Sequence, residues 1–453
     1  MGVLFVFTAV GCGTTKNPEF CCLTEADCAQ FGVTEFRSCT EGLACIENSC
    51  QPASCAMGTC TAAMPVCEIA TDMCVGCSTS NDCTRFSATP VCDDAGSCVE
   101  CVDGGDCPAS KPICDAKQCR VCAADDDCLS GACAVDGTCV DEGAAIYLAT
   151  TGANVAPCSK GAPCATLDFG LSQATSSREH VVMAPGNYSG TGTTTIPATR
   201  IYIHGHGARV TGGNSDVPTL RTNIPTTISD LQLVNIESEG IALATVSTTT
   251  LERAQLRGGK PLSVRALTTL VDTDIEATHT GITSVNATLI LDRVRVRGGD
   301  VVGVDVYGGT MDFTNVAVFE TGGVGLNLSN TSGFIKFTTV ANTGRGGGTG
   351  PFGAHCEIAN VVFQGSIVWN NFGAARLPID GSCTQFVSTI AGPAAVAGTM
   401  NANPQLANEV GNDFHLGSSS PARDSIDTGP PIDLDGSPRP RGVKYDLGAF
   451  EAQ

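Results

Sequence analysis

Between residues 228 and 369 the apolar positions fall into one recurring phrase. An apolar residue is followed by apolar or small residues three and five places on, then by a turn rich in Gly, Asn or other polar residues. The first positions are Leu231, Leu251, Leu270, Leu291, Phe313, Phe337 and Phe363. Behind them come Val234/Ile236, Ala254/Leu256, Thr273/Ile275, Val294/Val296, Val316/Val318, Val340/Asn342 and Ser366/Val368. Apolar residues two apart give a strand one buried face, and a period of about 22 residues is one coil of a solenoid. Gly258-Gly259, Gly298-Gly299 and Gly322-Gly323 punctuate the coils. Coils this short, built from strand-like pieces, predict an all-β parallel β-helix rather than helical hairpins. Residues at one phase of successive coils stack ~4.8 Å apart. The next column therefore reads Glu237, Arg257, Glu276, Arg297, a ladder of alternating charge. A slipped register would put like charges together, although each exposed pair contributes only about 0–1 kcal/mol.

Upstream, strand patterns at 145–149 and 180–188 flank a segment with Leu167, Leu171 and Ala174 on one helical face and Thr166 as its N-cap. This helix is expected to cap the open end of the solenoid.

Composition divides the chain near residue 143. All 22 cysteines from Cys21 to Cys139 fall in the first part, which also carries −15 of the net charge of −21. A stretch so poor in large apolar residues is held by cross-links rather than by a core. The acidic balance excludes nucleic acid and anionic membrane surfaces as partners, since both need a basic footprint. Leu4 to Val10 is an apolar run too short to span a bilayer but long enough for an export signal. Thr8-Ala9-Val10-Gly11-Cys12 resembles a bacterial lipobox, which implies acylation of Cys12 and a lipid anchor in the outer membrane or at the cell surface; an ordinary cleaved signal or a merely apolar start is the alternative. Setting Cys12 aside leaves 26 of the 27 cysteines, an even number suited to complete pairing in an oxidising compartment.

Those cysteines form six from Cys21 to Cys50, four sets of four from Cys55 to Cys139, and the pairs Cys158/Cys164 and Cys356/Cys383 as local staples. Cys77-x5-Cys83, Cys101-x5-Cys107 and Cys122-x5-Cys128 each place Asp before the second Cys, at Asp82, Asp106 and Asp127. Cys22-x5-Cys28 with Asp27 is a variant. The spacings Cys74-x2-Cys77, Cys98-x2-Cys101 and Cys119-x2-Cys122 would suit zinc, but they fall between units and the export signal favours disulfides. Asp125-Asp126-Asp127 reads as a solvated acidic turn rather than a calcium loop.

The order strand, Pro163-Cys164-Ala165-Thr166-Leu167 helix, strand, Pro185-Gly186-Asn187-Tyr188 resembles the start of right-handed parallel β-helix domains of the pectate-lyase-like superfamily. At the other end, Asn403-Pro404-Gln405-Leu406, Asp413-Phe414-His415-Leu416, Asp433-Leu434-Asp435-Gly436-Ser437-Pro438-Arg439-Pro440 and Asp446-Leu447-Gly448-Ala449-Phe450-Glu451 follow in order. They resemble the C-terminal choice-of-anchor Q module of exported bacterial β-helix proteins. The resemblance implies a right-handed, single-stranded parallel β-helix and a closure of its hydrophobic end by this segment. Asp433 and Asp435 are candidates for calcium, with turn hydrogen bonds as the favoured reading.

The superfamily includes lyases and hydrolases of acidic polysaccharides, so catalysis is judged on residues. Asp272-Thr273-Asp274 resembles part of the Asn-Thr-Asp element of polygalacturonases, but the other elements of that signature are missing. A lyase would use Asp272, Asp274 and Asp292 for a cation, with Arg293 or Arg295 as base; the charge ladder explains the same residues without chemistry. His204-Gly205-His206 would put two imidazoles on one strand face with no third ligand. The expected organisation is a signal with lipobox at 1–12, an acidic disulfide-rich stalk at 13–143, a β-helix at 144–400 and a C-terminal cap at 401–453. The expected protein is a monomeric surface lipoprotein with no required cofactor, binding polysaccharide or another surface protein without catalysis. A polysaccharide lyase or glycosidase and a purely structural envelope protein are the alternatives.

Overall fold

The computed structural model describes residues 43–46, 49–52, 55, 60–68, 71, 73–190, 196, 198–345, 353–371 and 377–452. Cys12 with its lipobox, and the Cys22/Asp27/Cys28 unit, lie outside the described residues. The chain divides into two compact units: one runs to Asp127 and includes Cys133–Cys139, while the other comprises Cys128–Ala132 and everything from Val140 onward. The 401–453 segment therefore belongs to the same unit as the coils.

In the first unit, three consecutive sets of four cysteines pair first with third and second with fourth: Cys55–Cys67 and Cys60–Cys74, Cys77–Cys92 and Cys83–Cys98, Cys101–Cys114 and Cys107–Cys119. Cys122 bonds Cys133. Each C-x2-C spacing thus joins neighbouring units rather than holding one metal. The Asp before the second Cys has a structural task. Asp82 accepts from the amides of Ser78 and Thr79, Asp106 from Val102 and Asp103, and Asp127 from Ala123 and Ala124. Each carboxylate satisfies amides at the start of a one-turn helix that would otherwise lack partners. Those amides hold the Asp82 carboxyl below its usual range; for Asp127 the Arg120 guanidinium is the larger cause. The acidic turn is not simply solvated, because Asp125 is buried and accepts from the Cys133 amide at 2.8 Å.

The second unit is a parallel β-solenoid of about nine turns. Three parallel sheets run along it. Sheet A includes Ile201–His204, Thr226–Ser229, Thr249–Glu252, Ser332–Lys336, Asn360–Gln364 and Gln385–Val387. Sheet B includes Gln232–Val234, Gln255–Gly258, Thr339–Ala341, Ile367–Trp369 and Ile390–Ala391. Sheet C includes Leu243–Thr245, Leu262–Val264, Val324–Ser329, Ala354–Glu357 and Ile379–Gly381. The long strands Thr268–Ala277, Thr280–Gly298 and Val302–Phe319 turn corners and serve more than one sheet.

The register corrects two of the seven predicted phases. The inward column of sheet A is Ile228, Leu251, Leu270, Leu291, Phe313, Ile335, Phe363. Leu231 and Phe337 do not belong to it, and Ile236, predicted inward, is 75% exposed. The inward column of sheet B is Leu233, Leu256, Ile275, Val296, Val318, Val340, Val368. Phe337 misleads because it is a large buried apolar residue placed outside this core, at the corner between sheets A and B. That corner takes one residue per coil in left-handed conformation: Asp230, Arg253, Asp272, Arg293, Asn315, Phe337, Gly365 and Ser388. At the start of the sheet C strands, Gly281, Gly303, Gly325 and Gly353 stack, and a Cβ on any of them would meet a core valine at 2.5–2.6 Å.

The helix Leu167–Ser172 forms as expected, with the Thr166 hydroxyl accepting from Phe169 N and with Leu167 and Leu171 buried in the solenoid core. The disulfides Cys158–Cys164 and Cys356–Cys383 form. The C-terminal segment does not close the end of the stack. It lies along the outer face of sheet B, where the outward residues change from charged to apolar. Ala317, Ala341, Ile367, Trp369 and Ile390 there form one cluster with Leu406, Phe414, Leu416, Ile426, Leu434, Leu447 and Phe450. Exposed apolar columns this extensive require a cover.

Candidate functional site

Where the C-terminal segment stops, sheet B presents a charged flank. Two outward columns run side by side: Gln255, Asp274, Arg295 and Val234, Arg257, Glu276, Arg297. Val234 occupies the place predicted for Glu237, because the first coil is phased three residues earlier. Glu276 bridges the arginines above and below it, at 3.3 Å from Arg257 Nε and 2.9 Å from Arg297 Nη2. Arg295 lies 3.7 Å from Asp274 and pairs with Asp435 of the C-terminal segment. Gln255, Arg257, Asp274, Glu276, Arg295 and Arg297, with Phe319, line a shallow cleft of about 260 Å³.

Asp272 and Asp274 are not on one strand face. Asp272 is the left-handed corner residue (φ +49), Thr273 is buried, and Asp274 points outward from sheet B beyond the bend. Asp272 is held by Arg293, whose Nε and Nη2 meet its two oxygens at 2.6 and 2.9 Å, while Nη1 donates to Asp292 at 2.6 Å. The same two-pronged contact joins Asp230 and Arg253 earlier along the corner. Arg293 thus binds Asp272 and Asp292 together, and Asp274 stands apart with Arg295. Asp292 is half-buried beside a second cleft of about 290 Å³ walled by Asp312, Thr314, Pro430, Pro431 and Ile432. Burial pushes its carboxyl above the usual carboxylate range, against the opposing pull of Arg293. Asp312 across the cleft pairs with Lys336 at 2.7 Å.

Among the described residues, the groups spaced to hold a metal are cysteines, and all of these are disulfide-bonded. Asp433 is buried; its Oδ1 accepts from the turn amides of Asp435 and Ser437 and its Oδ2 from the amide of Glu451, so both oxygens are taken by backbone. Asp435 is taken up by Arg295 and His415. The histidines of His204-Gly205-His206 part company: His204 meets His180 at 3.0 Å, whereas His206 Nε2 lies 2.8 Å from Gly131 O. The residues that sequence reasoning passed over are Asp413, His415 and Asp312. The first two had a signal, since residues two apart in Asp413-Phe414-His415 share one strand face.

No family model matches this chain, and no curated protein matches it. The crystal structure of pectate lyase Pel9A is similar at a TM-score of 0.42 and 12% sequence identity, over 68% of this chain and 96% of that one. A likeness at that level carries no argument about activity; the solenoid stands on its own strand pairing.

Proposed function

We propose that this chain is an exported, lipid-anchored surface protein whose sheet B flank binds an extended polymer, a polysaccharide above all, without cleaving it. The observation that carries the reading is the commitment of the candidate catalytic groups to one another. Arg293 is saturated by Asp272 and Asp292, and Arg295 is hydrogen-bonded to Asp435 with Asp274 3.7 Å away. An arginine so paired is a poor proton abstractor, and carboxylates so paired are poor cation ligands. A repeated flank suits a ligand that is itself repeated. The disulfides and the resemblance of the C-terminal motif to an export-associated module support export. Replacing Cys12 with Ala tests the anchor: the protein should leave the membrane fraction, and unchanged membrane retention would remove that part of the proposal.

Asp292 favours a second reading, a hydrolase or lyase of acidic polysaccharide, because a carboxyl raised by burial beside a cleft is suited to act as a general acid. The full chain incubated with acidic and neutral polysaccharides, with and without calcium, separates the two. Retention on a polymer with no unsaturated product and no new reducing ends is the expected result. Turnover abolished by Asp292→Asn would establish the enzyme; neither retention nor turnover would leave a structural envelope role.

A further inference from the structure

The strand Asp413–Leu416 places Asp413 and His415 on one face, and the imidazole reaches two carboxylates at once. Nδ1 lies 2.6 Å from Asp413 Oδ1 and Nε2 lies 2.8 Å from Asp435 Oδ2. Carboxylate oxygens only accept, so both ring nitrogens must donate, and only the imidazolium carries two N–H groups. The other Asp435 oxygen takes Arg295 of sheet B, which in turn faces Asp274 at 3.7 Å. The ring itself lies against Phe450, 4.6 Å between centroids. Three carboxylates and two cations thus alternate from the C-terminal segment to the solenoid flank. Loss of the His415 proton would turn one of its two ring contacts into a pair of facing acceptors and leave Arg295 as the one cation among three carboxylates, with Asp413 keeping only the His415 amide or Asp435 keeping only Arg295 as donor.

We infer that Asp413, His415, Asp435 and Arg295 form a protonation-dependent latch that holds the C-terminal segment on the apolar outer face of sheet B and loosens when His415 becomes neutral. Burial lowers the affinity of His415 for its proton, but the two carboxylates outweigh it and the net displacement is upward. The stabilisation is therefore fully present below the ordinary histidine value of about 6.5 and is lost as pH rises through the higher folded value. Other charges near the segment are already committed: Asp433 and Glu451 accept backbone amides, and Arg439 is enclosed. The latch does not depend on any ligand in the adjoining cleft.

Amide hydrogen exchange on the full chain, expressed as protection relative to the intrinsic rate at each pH, tests it. Between about pH 6 and pH 9, protection at 413–416 and 433–437 should fall roughly ten-fold, as expected for one lost charge-assisted hydrogen bond. Amides at 289–296 in the coils should hold steady. His415→Gln should exchange as fast at pH 6 as the parent does at pH 9 and show no pH dependence. Unchanged protection in the parent, or the same pH dependence in His415→Gln, would overturn the latch. Direct NMR titration of His415 in the unmodified chain gives an answer even if the variant misfolds: a midpoint above 6.5 supports the latch and one at or below it refutes it.

Discussion

Arg439 and Glu451 meet with almost no access to water: their side chains are 0% and 1% exposed, with Nε 3.5 Å from Oε2. Burial works against charge on both, lowering the Arg439 value and raising that of Glu451. The surroundings compensate. Arg439 donates to the carbonyls of Asp446 and Gly448 and lies over the Phe337 ring at 5.2 Å, while Glu451 accepts from the amides of Arg441 and Asp446. Arg439→Ala would leave the carboxylate enclosed without its cation, and such a break costs about 3–5 kcal/mol. Urea unfolding should show that loss, with Arg439→Met/Glu451→Leu milder than either single change; a single change costing under about 1 kcal/mol would show the pair to be incidental. The motif containing Arg439 and Glu451 is plain in the sequence. That Phe337, a hundred residues earlier, forms the floor beneath Arg439 is not, because its spacing imitates a core position.

The coil as an element is governed by two columns. Gly325 has no room for a side chain: a Cβ would lie 2.6 Å from Val340 Cγ1 and 2.7 Å from Gly353 O. Gly325→Ala should destabilise by about 1–3 kcal/mol, the usual cost of overpacking, seen as a lower denaturation midpoint at unchanged slope. An unaltered midpoint would mean the stack is looser than drawn. On the surface, Glu276 separates Arg257 from Arg297. Glu276→Arg should place three arginines in one column and lower stability by up to about 1 kcal/mol at low salt, less at high salt. Equal effects at both ionic strengths would argue against a charge ladder. The alternation of Arg257, Glu276 and Arg297 was legible in the sequence. Its first rung was not, since Leu233 and Ile236 are both apolar and either could be taken as the inward residue that sets the phase.

Across the whole molecule the two units are stabilised by different physics. The solenoid buries an unbroken line of Ile, Leu, Val and Phe side chains, whereas the sets from Cys55 to Cys139 depend on disulfides. Each cross-link closes a loop of 11–15 residues, for which loss costs about 3 kcal/mol. Reductant should therefore make 55–139 sensitive to protease while the parallel-strand circular dichroism of the solenoid persists; joint loss of both signals would contradict this division.

Sequence alone determined the parallel β-solenoid, the sets of four cysteines and the alternation of charge, because each is a repeat and a repeat is local information. Tertiary structure decided the phase of the coils at Ile228 and Ile335, the pairing of Arg293 with both Asp272 and Asp292, and the seat of the C-terminal segment on the side of sheet B rather than its end. The reason is common to all three. Where a chain returns after loops of unequal length, and which outer columns it leaves apolar enough to need a cover, are properties of neighbouring coils rather than of any one stretch.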